Sequence, residues 1–155
     1  MRLPLKAIAT TLFALTTIVG CAADASPDDE AEDDVGASED ALLAGRLYTP
    51  AEVAALVREA GFPESVVGQM VCTAKYESSF FERATNKNKN GSVDRGLFQI
   101  NSIHLGEAGC PTSGERVFDA AANAKCARAI YKMQGIRAWY GYRKHKTECD
   151  NFVAP

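Results

Sequence analysis

The sequence predicts a small α+β domain, mostly helical, with one short antiparallel sheet. Three observations point there. Apolar residues recur at helical spacing over three stretches, beginning near Pro50, Ser65 and Ala120. Between Phe81 and Ser102 that period is lost around Asn90-Gly91, the strongest short hairpin signal in the chain. Four cysteines (Cys72, Cys110, Cys126 and Cys149) are spread through the same region, an even number suited to two disulfides in an exported protein. With 155 residues, 46% apolar and 24% charged, a single modest domain is expected.

Residues 1–20 read as a signal segment. Arg2 and Lys6 supply a positive start, and the largely apolar run from Ala7 to Val19 is too short for a membrane-spanning helix. It closes on Ile18-Val19-Gly20-Cys21, which resembles a bacterial lipobox. That implies cleavage before Cys21 and a lipid on its thiol, so the protein would be exported and anchored to a bacterial membrane. Ala22, in place of a retention aspartate, leans towards the outer membrane. The alternative is a plain secretory signal, but the cysteine stands where the apolar run stops.

Residues 21–45 are expected to be that lipidated cysteine and an acidic tether. Nine acids and no base lie between residues 22 and 44, with too little apolar surface to fold. Such a segment reaches roughly 25 Å from its anchor. Residues 45–155 carry 11 acids against 15 bases, a net charge of +4, which suits an anionic polymer as partner. Nothing suggests a nucleic acid, and a monomer is expected.

Order begins near Tyr48, and residues 46–155 form the folded domain. Thr49-Pro50-Ala51-Glu52 is a helix start: Thr49 as N-cap, Pro50 where its missing N–H costs nothing, Glu52 placed to reach back in a capping box. Val53, Leu56 and Val57 make the apolar stripe, and Gly61 with Pro63 ends it. A second helix starts near Ser65, with Val66, Val67, Met70, Val71 and Ala74 on one face and Glu77 at its edge. Strands are expected on both sides of Asn90-Gly91, with Leu97 to Asn101 as a third. Asp119 reads as the N-cap of a helix from Ala120 to Gln134, stopped by Gly135, and Arg137 to Tyr142 as a further short turn of helix. His104 and His145 are isolated and read as surface groups. No Cys or His spacing suggests zinc, and no metal or cofactor is expected.

Two acids carry the chemistry. Glu77 lies near a helix C-terminus among apolar groups, and both features disfavour its charged form, so it is expected to hold its proton near neutrality. Asp94 sits among Asn86, Asn88, Asn90, Ser92, Gln99 and Asn101, groups able to stabilise a carboxylate, and is expected to stay ionised. Carboxyls pushed apart in this way are what glycoside hydrolysis requires.

The residues around them carry a resemblance. Cys72-Thr73-Ala74-Lys75-Tyr76-Glu77-Ser78 resembles the catalytic helix of c-type lysozymes. The run from Ala84 to Ser102, ATNKNKNGSVDRGLFQINS, resembles their β-hairpin signature, and Ala138-Trp139-Tyr140-Gly141-Tyr142 is similar to a segment lining their cleft. The likeness covers most of residues 48–151. It implies a lysozyme-like fold, a helical lobe and a small sheet with the cleft between them, and a muramidase acting on peptidoglycan glycan strands with retention. Glu77 would be general acid and then base, Asp94 nucleophile or charge stabiliser. Asn86, Gln99, Asn101 and Trp139 would contact sugar, Asp94 or Glu77. The implied bridges are Cys72 with Cys149 and Cys110 with Cys126.

The departures narrow the expectation. Ile103-His104-Leu105 replaces an aromatic pair, leaving His104 as the one ring available for distal sugar. Val117, Ala122 and Asn123 stand where a calcium site of the sister milk proteins would want carboxylates, so no calcium is expected. Two rivals remain: a lytic transglycosylase, whose members share similar Glu-Ser and Gln-Ile-Asn runs, and a non-catalytic wall-binding or inhibitor-binding module. Retention of both acids argues against the second.

Overall fold

The computed structural model describes residues 45–155; the signal segment, Cys21 and nearly all of the acidic tether lie outside the described residues. The first helix, α1 (Pro50–Glu59), starts as its sequence dictates. Thr49 is extended, its hydroxyl accepts from Glu52 N at 3.3 Å, and the Glu52 carboxylate accepts from Thr49 N at 2.8 Å. Val53, Ala54 and Val57 are buried against α2 (Glu64–Ser78). This second helix begins one residue before the expected Ser65, because Pro63, with φ −60° and ψ 140°, turns the chain directly into it.

Helix α2 is the centre of the domain. Val67, Met70, Val71, Cys72, Thr73 and Ala74 are all inaccessible to solvent, so it is covered on more than the one stripe its spacing suggested. Gly68 is where the C-terminal segment crosses it: a Cβ there would stand 2.1 Å from Phe152 O. The helix ends at Ser79 and Phe80, both at positive φ (52° and 66°), which is uncommon for residues with side chains. Backbone pairing with the start of the domain holds this exit, through Tyr48 N to Phe80 O and Glu82 N to Arg46 O, each 3.0 Å.

The sheet is β1 (Thr85–Lys87), β2 (Val93–Arg95) and β3 (Ile100–Asn101), antiparallel in that order. The hairpin at Asn90-Gly91 is present, but only Gly91 adopts positive φ; Asn90 instead accepts from Ser92 N and Oγ. The third strand is shorter than expected. Leu97, Phe98 and Gln99 belong to a turn whose tip points inward, with Leu97 and Phe98 fully buried. Their apolar side chains gain more from the helical core than two further ladder positions would offer.

Helix α3 (Ala120–Gln134) has the expected bounds, with Asp119 accepting from Ala122 N at 2.7 Å and Gly135 at φ 71° ending it. The expected single turn at Arg137 to Tyr142 is divided. A 3-10 turn (Ile136–Ala138) precedes an extended Trp139, and α4 (Tyr140–Lys144) and α5 (Lys146–Asp150) follow. The disulfides are Cys72–Cys149 and Cys110–Cys126, the pairing the resemblance implies. The architecture is the expected α+β one, a helical lobe beside a small antiparallel sheet.

Candidate functional site

Glu77 occupies the last turn of α2, where the helix faces the start of α4. Its Oε1 accepts from Gly141 N at 2.6 Å. A Cβ on Gly141 would stand 3.0 Å from that oxygen, so this backbone comes as close as it does because it carries no side chain. Burial pushes the Glu77 carboxyl above the usual glutamate range, and the nearby Asp94 charge adds to the rise; the Gly141 N–H and the Arg143 cation pull the other way without reversing it.

Asp94 is placed by sheet register. It pairs with Asn86 on β1 and with Asn101 on β3, so the side chains of all three stand side by side on one face. Asn101 Nδ2 donates to Oδ1 at 2.6 Å, and Asn88 and Asn86 donate to Oδ2 at 2.9 and 3.2 Å. Ser92 Oγ accepts from Asn88 and Asn101 in turn, at 3.1 and 3.0 Å, which fixes two of the three donors. Gln99 does not join them. Its amide donates to Ala84 O and Gly96 O, each at 3.0 Å, and so ties the inward turn to the residue that precedes β1.

Both acids line one open cleft of about 210 Å³, with Gln99, Asn101, His104 and Trp139 from the sequence reading. Asn86 touches Asp94 but does not line the cleft. Trp139 is both wall and core: it is 5% exposed, and its Nε1 donates to Phe98 O at 2.9 Å. His104, read from sequence as an isolated surface group, is half-buried and paired. Its side chain is only 12% exposed, it forms part of the cleft wall, and Nδ1 is 2.6 Å from Glu107 Oε2. His145 stacks on Tyr76, with ring centroids 3.5 Å apart.

Tyr140 lines the cleft as part of the segment the resemblance pointed to, whereas sequence reasoning missed Ile130 and Gln134, which bring the C-terminal end of α3 to the cleft at i, i+4 spacing, and the bond from Gly141 N to Glu77. Among the described residues no three His, Cys, Asp or Glu side chains gather as a metal site. A half-buried carboxyl with a raised pKa and a second one held by three amides therefore share one open cleft.

Residues 46–153 match the C-type lysozyme/alpha-lactalbumin family. The chain is similar to "Lysozyme c-1" of Anopheles gambiae, 34% identical over 112 residues that cover 68% of this chain and 80% of that protein. It is similar to "Lysozyme" of Bombyx mori, 37% identical over 97 residues, 57% of this chain and 71% of the other. Against "Lysozyme C" of the bird Crax fasciolata it is 35% identical over 115 residues, 64% of this chain and 88% of the relative.

Proposed function

The chain belongs to the C-type lysozyme/alpha-lactalbumin family and is a glycoside hydrolase, and we propose that it cleaves the β-1,4 bond between N-acetylmuramic acid and N-acetylglucosamine in peptidoglycan, with retention. One observation carries the reading: Glu77 and Asp94 face the same cleft in opposite settings, one desolvated, the other surrounded by amide donors. Lysozyme is itself the type case of this two-carboxylate chemistry.

In the proposed reaction Glu77 gives its proton to the glycosidic oxygen as the bond from that oxygen to the anomeric carbon breaks. The Asp94 carboxylate meets the positive charge developing at that carbon and bonds to it. Glu77, now a carboxylate, takes a proton from water, whose oxygen attacks the anomeric carbon and releases Asp94. Asn101, Asn88 and Asn86 hold the Asp94 oxygens during both displacements, and Trp139 keeps bulk water from Glu77. Gln99, Asn101, His104 and Trp139 line the sugar path.

Digesting purified peptidoglycan and weighing the muropeptides tests this. Reducing-end muramic acid is the expected product. Fragments lighter by one water would make the enzyme a transglycosylase, with Asp94 a structural residue, and binding without turnover would make it a wall-binding module. The protein is further proposed to be an exported monomer that Cys21 anchors to a bacterial membrane by lipid. Mass spectrometry of the mature N-terminal peptide is expected to show acyl lipid on the Cys21 thiol, and an unmodified Cys21 would refute the anchor.

A further inference from the structure

Asn123 lies in the first turns of α3, is completely buried, and has no task in the reaction as described. Burying an amide is costly unless its donors and acceptor are paired, so its partners say what it is for. Oδ1 accepts from Phe98 N at 2.9 Å, and Nδ2 donates to Arg95 O at 3.0 Å and Val117 O at 2.8 Å. Arg95 and Phe98 belong to the segment that directly follows Asp94. Gly96 between them has φ 79°, and a Cβ there would stand 2.2 Å from Asn123 Nδ2, so amide and turn meet at a distance no side chain allows.

Trp139 holds the same turn from a second side, through Nε1 to Phe98 O at 2.9 Å. Two residues later Gly141 N holds Glu77 Oε1 at 2.6 Å. A connected path of hydrogen bonds and short backbone thus runs from the strand bearing Asp94, through Asn123 and Phe98, to the residue that orients Glu77.

We infer that Asn123 is a positioning residue of the reaction: it fixes the Arg95–Phe98 turn against α3 and so sets where Asp94 stands relative to Glu77, without touching substrate. The inference rests on the glycosidase reading above. A residue that merely completed the core would, when replaced, lower stability and leave the turnover of folded molecules alone. A positioning residue changes turnover itself, because a displacement of about 1 Å at reacting groups can cost ~10²-fold.

The test compares full-length Asn123→Ala and Asn123→Asp with Val57→Ala, a core truncation elsewhere in the helical lobe, each assayed on peptidoglycan at a temperature where circular dichroism shows it folded. Trp139 is the only tryptophan of the chain, so its emission reports the Phe98 contact directly. Both Asn123 variants are expected to lose about tenfold or more in kcat with KM little changed, and to shift Trp139 emission. Val57→Ala is expected to melt earlier with wild-type kcat and emission. Asn123 variants that melt earlier but keep wild-type kcat and emission would overturn the inference. If neither folds, amide exchange in the wild type decides: the Phe98 N–H is expected to be as protected as those of α3, and exchange at the rate of exposed loop amides would sink the clamp. An inactive wild type refutes the glycosidase reading and the inference together, whereas an active wild type with unaffected Asn123 variants refutes only the inference.

Discussion

Replacing Glu77 by glutamine is expected to move activity and stability in opposite directions. The substitution keeps the size of the side chain and an oxygen to accept from Gly141 N, a bond of 2.6 Å, but it removes the titrating proton. Loss of a general acid typically costs about 10²–10⁴-fold in kcat, which corresponds to ~3–5 kcal/mol of transition-state stabilisation. Stability follows from the raised carboxyl pKa, whose largest cause is burial. With its folded value above the ordinary 4.5, the native state binds the proton more tightly than the unfolded chain does. The stabilising contribution is therefore fully present below about pH 4.5 and is lost as pH rises through the folded value. Glutamine has no such loss. Melting temperatures of wild type and Glu77→Gln, measured from acid to neutral pH, should run parallel in acid and then diverge in favour of the variant. A difference of 1 kcal/mol would appear as roughly 4 °C in a domain of this size. Parallel curves at every pH would show that burial imposes no cost on the Glu77 charge, and retained turnover would remove its role as acid.

Asn101→Ala removes the shortest bond to Asp94, a charge-assisted contact worth about 1.5–3 kcal/mol, and is expected to lower kcat/KM about 10–100-fold on peptidoglycan. Gln99→Ala, whose amide holds backbone instead, should lower the melting temperature more than the rate; the reverse pattern would refute the assignment of these two amides. The disulfides close segments of 77 and 16 residues, for which chain entropy predicts about 4.5 and 3.1 kcal/mol. Urea unfolding of the two paired serine variants should preserve that order, and the opposite order would show that loop closure is not the dominant contribution. Thr49→Ala breaks the capping box of α1 and should cost about 1 kcal/mol in a thermal melt, with activity unchanged.

Features governed by neighbours in the chain were legible before folding. The capping box at Thr49 and Glu52 and the start of α3 at Asp119 depend on side chains bonding to backbone three residues away, the end of α3 on the positive φ open to Gly135, and the structure keeps all of them. The amide donors to Asp94 were legible for a related reason: hairpin register puts Asn86 beside it, and a two-strand return adds Asn101. Where competition was global, the sequence misled. Leu97 and Phe98 read as strand but turn into the core, and Trp139 interrupts an expected helical turn.

The sequence by itself determined which acids are present, which helices and hairpin carry them, and the local polarity around Asp94. Tertiary structure decided what Glu77 is worth as an acid, since desolvation depends on packing by segments such as Gly141, 64 residues further along the chain. It also decided Asn123, whose partners Arg95 and Phe98 lie 28 and 25 residues before it in sequence and become partners only when the inward turn docks on α3. Local hydrogen bonding is encoded over a few residues, whereas burial and the meeting of distant backbone groups exist only once the whole chain has closed around α2.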